Sequence, residues 1–301
     1  MSFIIKHNKG TLELCEVTRI MGILNVTPDS FSDGGFFFDL DKALAHARKM
    51  LEEGADVIDI GGESTRPGSK PVSEDEELRR VIPVIQELSK ETDKPISIDT
   101  YKSRVAEKAI EAGAQIINDV SGLKADKDMA RIAAANRTPI IINHIKGQPH
   151  NMPERPSYGD LISEVMLDLR HSIDLAAKSG IKEDEIIIDP GIGFGKTVQH
   201  NLEILNRLEE FKGLERPMMV GTSRKSFIGH VLGLPPQDLS LNGAKERFIG
   251  TVATIAVAVI KGAMIVRVHD VKEAMQVATI CDAIRNSSLE SRLERPVERL
   301  T

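Results

Sequence analysis

Eight short apolar segments recur along this chain, each closing on a polar or charged residue and each separated from the next by enough chain for a helix. The closing residues are Asn25, Glu63-Ser64-Thr65-Arg66, Asp99, Asn118-Asp119, His144, Asp189, Ser223-Arg224-Lys225 and Arg267-Val268-His269. Parallel strands need crossovers of a dozen or more residues, whereas antiparallel pairs can close in two. The rhythm therefore predicts strand–helix repeats, and eight of them predict a (β/α)8 TIM barrel in a single α/β domain. In such a barrel the loops at the carboxyl ends of the strands share one face, so residues distant in sequence meet there. An open doubly wound sheet is the alternative architecture.

Strands covered on both faces need no alternation of polar and apolar residues. The predicted strands are 19–25, 56–60, 95–100, 115–120, 139–144, 185–189, 217–222 and 264–268. Helices are expected at 39–53, 73–91, 102–112, 127–136, 161–179, 201–211, 224–232, 244–261 and 271–284. Ser73 and Glu76 match a capping box at the start of the second of these. Asn8-Lys9-Gly10 reads as the turn of an N-terminal hairpin that could plug the barrel floor. The expected organisation is a hairpin extension over 1–17, the barrel over 18–286 and a polar tail over 287–301.

At 301 residues the chain suits one large domain, since barrels of this kind need about 250. A net charge of −6 without a dense basic run argues against nucleic acid or an anionic membrane as a partner. Cys15 and Cys281 are the only cysteines, which indicates neither a disulfide framework nor a zinc site and makes the cytoplasm the default compartment. The apolar stretch 249–268 is interrupted by Lys261-Gly262, so it reads as a buried helix followed by a strand instead of a membrane span.

Asp189 to Thr197 contains three glycines and a lysine, but the spacing fits neither a P-loop nor a dinucleotide fingerprint. It reads as a tight loop that leaves Asp189 facing the cavity. Asp99 and Asp189 stand at equivalent strand ends, where a carboxylate pair serves acid–base work, metal binding, recognition of a heterocycle edge or capping of the next helix. Asn118 adds a group that both donates and accepts. Ser223-Arg224-Lys225-Ser226 offers cations where a helix should begin, and Arg267 and His269 point to one side of an extended segment, so each cluster suits an anion. Two long polar loops, 27–35 and 63–69, have the character of lids. The triplet Phe36-Phe37-Phe38 would anchor the first of them.

Segments 21–35 (Met-Gly-Ile-Leu-Asn-Val-Thr-Pro-Asp-Ser-Phe-Ser-Asp-Gly-Gly) and 61–68 (Gly-Gly-Glu-Ser-Thr-Arg-Pro-Gly) resemble the two signatures of the dihydropteroate synthase family. The likeness continues through Ser97-Ile98-Asp99-Thr100, Ile117 to Gly122, Asp189-Pro190-Gly191, Ser223 to Ser226 and Arg267 to Asp270. The resemblance implies a homodimeric transferase that uses Mg2+. It would join 4-aminobenzoate to (7,8-dihydropterin-6-yl)methyl diphosphate, giving 7,8-dihydropteroate and diphosphate by loss of diphosphate followed by attack of the amine. By the same resemblance Asp99, Asn118, Asp189, Lys225 and Arg267 hold the pterin, and Thr65, Arg66, Pro67 and Ser226 border the aminobenzoate. Asn25 would hold the metal, and Arg267 and His269 attend the diphosphate, with Thr65, Arg66 and Lys225 completing the catalytic set. A pterin-binding methyltransferase-type domain and a non-catalytic pterin-binding paralogue are the competing functions. One departure stands out: the family commonly has Met-His-Met where this chain has Asn143-His144-Ile145.

Overall fold

The computed structural model describes residues 2–27, 36–64, 71–147, 152, 156–235 and 245–287, leaving aside the side chains of 36–39. Strands β1 (Phe3–His7) and β2 (Gly10–Leu14) pair antiparallel as a hairpin. The barrel strands are β3 (Arg19–Asn25), β4 (Val57–Gly61), β5 (Ile96–Asp99), β6 (Ile116–Asp119), β7 (Ile140–Asn143), β8 (Ile186–Asp189), β9 (Met219–Val220) and β10 (Ile265–Val268). They form one parallel sheet in the order β8-β7-β6-β5-β4-β3-β10-β9. A parallel bridge between Ile188 and Met218 joins its two ends and closes the cylinder.

Helices α1 (Phe36–Glu52), α2 (Glu74–Glu91), α3 (Ser103–Ala112), α4 (Met129–Asn136), α5 (Leu161–Lys178), α6 (Val198–Asn206), α7 (Ser226–Val231), α8 (Phe248–Ile260) and α9 (Val271–Asn286) complete the repeats. Outward-facing isoleucines such as Ile58, Ile98, Ile117, Ile142 and Ile188 pack with helix residues in the larger apolar cluster. The alternate residues Met21, Val57, Ile116, Ile141, Ile187, Met219 and Ile265 fill the lower barrel, and the hairpin adds Ile5, Leu12 and Leu14 to that cluster. Each such buried side chain contributes about 1.5–3 kcal/mol. The hairpin thus stoppers the barrel below.

Several elements depart from the expected pattern for identifiable reasons. Ser73 Oγ accepts from Glu76 N at 3.3 Å, but Glu76 turns its carboxylate to Arg79 and Arg80 (2.8 Å each), so only half of the expected capping box forms. The helix expected at 201–211 begins earlier as α6 and gives way to a 3-10 segment over Leu208–Leu214. β9 keeps only two ladder residues; just before it Pro217, which has no N–H to lend, still accepts from Ile188 N at 2.9 Å through its carbonyl. α8 is buried on one side alone: Thr251, Ile255, Ala258 and Val259 face inward, while Ile249 is 74% exposed. Among the described residues no helix is long and apolar enough to cross a membrane.

Candidate active site

Period-two geometry sends alternate residues of each strand into the barrel. In register, Asp59 lies beside Ser97, Asp99 beside Asn118, and Asn143 beside Asp189, all above the apolar floor. Arg267 enters from β10, where it sits beside Met21 of β3. The eight strand ends therefore bring Asp99, Asn118, Asp189 and Arg267 to one cup, as the sequence rhythm requires.

Arg267 organises that cup. Its Nε donates to Asp59 Oδ2 at 2.5 Å and its Nη2 to Asp99 Oδ2 at 2.6 Å. Asn118 Nδ2 donates to the same Asp59 oxygen at 3.0 Å, which directs the amide nitrogen toward β4 and leaves the carbonyl as the acceptor available to a ligand. Burial pushes the Asp99 carboxyl up, with the Arg267 charge opposing. Asp189 is raised by burial, opposed first by Lys225, and its Oδ1 accepts from Gly191 N at 2.7 Å.

Lys225 reaches in from the N-cap of α7, donating to the Ile192 carbonyl with its ammonium 4.3 Å from the Phe194 ring centroid. Burial brings its pKa down to about 8 against the attraction of Asp189. The loop from Asp189 can approach this closely because Gly191 adopts φ 74°, and a Cβ there would run into the His144 carbonyl oxygen.

The two anion clusters do not keep all their cations. Arg224 adopts φ 59° and forks onto Asp270 (Nε–Oδ2 3.1 Å, Nη2–Oδ1 2.5 Å), so it ties the β9 and β10 loops together instead of facing the cup. Ser223 Oγ lies 3.0 Å from His269 Nδ1 and accepts from His269 N at 3.2 Å, which fixes the imidazole at the rim. Ser226 opens α7 next to Lys225.

Thr65, Arg66 and Pro67 lie outside the described residues, as do most of the first loop and the tail beyond 287. The stems of the second loop are described, and a buried network joins them. Glu63 accepts from Val72 N (3.1 Å), Tyr101 Oη (2.7 Å) and Lys102 Nζ (2.5 Å), and Lys102 also bonds Glu77 at 2.5 Å.

The sequence reading passed over Asp59, which is fully buried in mid-strand. The available signal was a charged residue inside an otherwise apolar strand, a rarity unless it is paired. His144 and Lys196 were missed as a pair as well: Lys196 Nζ sits 2.8 Å from His144 Nδ1, and burial lowers the pKa of both.

Among the described residues no cluster of His, Cys, Asp and Glu could cage a metal ion. Asn25, half-buried at the end of β3, offers one hard amide oxygen at the rim. A single oxygen donor beside an anion site suits Mg2+, which retains waters and commonly takes its other ligands from substrate phosphates.

A barrel whose open end gathers carboxylates, an amide and two cations around one cup defines a ligand-binding α/β enzyme of the pterin-binding class, and the pattern of the family described as "Pterin binding enzyme" matches residues 21–269. The chain is 51% identical over 283 residues to the dihydropteroate synthase of Bacillus subtilis strain 168, covering 94% of each. Among solved structures, the Clostridium difficile dihydropteroate synthase in the presence of pteroic acid matches with a TM-score of 0.82 at 48% identity, over 89% of this chain and 97% of that one. The Xanthomonas albilineans enzyme with 4-aminobenzoic acid matches at 0.86 and 40% identity, over 95% and 99%. The chain belongs to the dihydropteroate synthase family.

Proposed function

We propose that this chain condenses (7,8-dihydropterin-6-yl)methyl diphosphate with 4-aminobenzoate to form 7,8-dihydropteroate and diphosphate. The observation that carries the reading is the convergence of Asp99, Asn118, Asp189, Lys225 and Arg267 on one cup. A dihydropterin presents an amino group and ring N–H donors along one edge, which two carboxylates and an amide carbonyl can accept. Its ring carbonyl suits the Lys225 ammonium. Arg267 has its guanidinium held flat between Asp59 and Asp99, a posture suited to stacking on the ring and to attracting the diphosphate.

The carbon–oxygen bond to diphosphate breaks ahead of amine attack, and the electrons leave with the diphosphate oxygen. Arg267 and His269 then stabilise the departing charge, while the buried carboxylates stabilise the methylene cation conjugated with the ring. One such electrostatic contact is worth about 3 kcal/mol. The aromatic amine attacks as the neutral base and loses its proton afterwards. Asn25 would hold Mg2+ in this reading, and the ion would supply further neutralisation of the leaving group. Thr65, Arg66, Pro67 and Ser226 border the aminobenzoate in this reading, which rests for these four on the family resemblance.

Diphosphate released on mixing the two substrates tests the reaction, and a methyltransferase or a silent paralogue would release none. In a parallel arm without aminobenzoate, oxygen label at the bridging carbon–oxygen–phosphorus position should scramble into non-bridging positions of the recovered substrate; a label that stays in place under turnover-competent conditions would refute the early bond cleavage.

Lys225 also sets a pH limit. Its protonated form donates to the ligand, so pterin affinity should fall as pH rises through about 8, where the free protein's lysine loses its proton. Calorimetric titration from pH 7 to 9.5 reads this. An affinity unchanged across that range would remove Lys225 from the recognition set.

The protein acts as a cytoplasmic homodimer in this proposal. The exposed apolar residues Ile249, Val257 and Ile260 of α8 and Ile280 and Ile284 of α9 support it, since the two helices pack together and large exposed apolar patches mark interfaces. Ile280→Glu should convert the dimer to monomer in sedimentation velocity, whereas a dimer surviving that change and Ile284→Glu would place the interface elsewhere.

A further inference from the structure

The residue that breaks the family pattern, Asn143, carries an unanswered acceptor. It ends β7, is 3% exposed, and stands in register with Asp189 of β8. Its neighbours fix which way the strand faces: Ile141 belongs to the barrel-floor cluster and Ile142 to the outer cluster, so alternation points Asn143 inward above Ile141. The amide orientation is settled too. Nδ2 donates to the Val120 carbonyl at 2.9 Å and the His144 carbonyl at 3.2 Å. Carbonyl oxygens only accept, so a flipped amide would set oxygen against two oxygens. The Asn143 oxygen therefore faces away from both, and this buried Oδ1 has no hydrogen-bond partner among the described residues.

A buried acceptor left unpaired costs about 1–3 kcal/mol, so such an atom needs a donor from outside the fold. The donor the cup is built for is the N–H edge of a pterin. Asp189, next to Asn143, already accepts from Gly191 N through Oδ1. We infer that Asn143 Oδ1 accepts from the 2-amino group of the pterin beside Asp189, which makes Asn143 a specificity-determining residue for that amino group. The inference rests on the pterin reading proposed above. A methionine at this position would offer contact area but no comparable acceptor.

The test compares the dihydropterin diphosphate with an analogue carrying hydrogen in place of the 2-amino group, by calorimetry on the full chain. Asn143→Met should weaken binding of the pterin about tenfold and change binding of the analogue by less than about twofold, because the lost contact exists only with the amino group. An equal loss for both ligands, as expected if Asn143 merely holds β6 to β7, or no loss for the pterin, overturns the assignment. Should the variant fail to fold, a crystal structure of the unaltered protein with the pterin diphosphate decides. An Oδ1 to amino nitrogen distance of about 3 Å supports it, and one beyond about 4 Å rejects it. If the unaltered chain binds no pterin, the proposed function falls and this inference with it. If it binds pterin while Asn143→Met binds equally well, only the inference falls.

Discussion

Asp189→Ala should lower affinity for the pterin diphosphate by more than about a hundredfold while leaving the fold intact. Hydrogen bonds to an ionised group in a buried site contribute about 1.5–3 kcal/mol each, and a carboxylate facing adjacent N–H donors loses more than one on truncation. The loss propagates to Lys225. Asp189 is the chief group keeping that buried ammonium charged, so without it the lysine pKa drops below its present value of about 8 and the second contact weakens at neutral pH. Calorimetry at pH 7 measures the combined effect, and affinity equal to the unaltered protein would refute the placement of the pterin edge. Asp189→Asn should lose less, since a neutral acceptor remains.

Asp59→Ala should cost about 3–5 kcal/mol of stability, the range for breaking a buried ion pair from one side. The carboxylate is fully buried and receives both Arg267 and Asn118, so its removal leaves the guanidinium with Asp99 as its one carboxylate partner among the described residues and frees an amide to rotate. Urea denaturation reads the loss. Introducing Arg267→Leu in the same background should add less than it costs alone, because the contact between the two is already lost in the first variant. A cost under about 1 kcal/mol for Asp59→Ala would show that Asp59 does not hold Arg267 in solution. Pterin affinity should fall as well, through misplacement of Asn118 and Arg267.

Why Asp59 escaped the sequence reading while Asp99 and Asp189 did not is a matter of position. Catalytic groups collect at the carboxyl ends of barrel strands, so a polar residue closing an apolar run stands out. Asp59 lies two residues short of the end of β4, and its partners come from strands 59 and 208 residues away in sequence. No local pattern carries that pairing. The anion clusters show the converse: the residue types in Ser223-Arg224-Lys225-Ser226 were plain, but the left-handed backbone at Arg224 sends that side chain to Asp270 and the next one to the cup. Strand existence was legible from apolar runs, and the short β9 was not, because its extent depends on pairing with β10 and β8 from distant parts of the chain. Burial of α8 was overread, since an apolar helix can face either its own barrel or a partner molecule.

The stoppered base has a consequence for traffic. With Ile5, Leu12 and Leu14 packed beneath the strands, the base of the barrel is closed among the described residues, and the polar strand ends lie at the opposite end. On the pterin reading proposed above, a ligand lodged against Asp99, Asn118 and Asp189 should therefore enter ahead of its partner and depart after it, an ordering that product-inhibition kinetics would reveal.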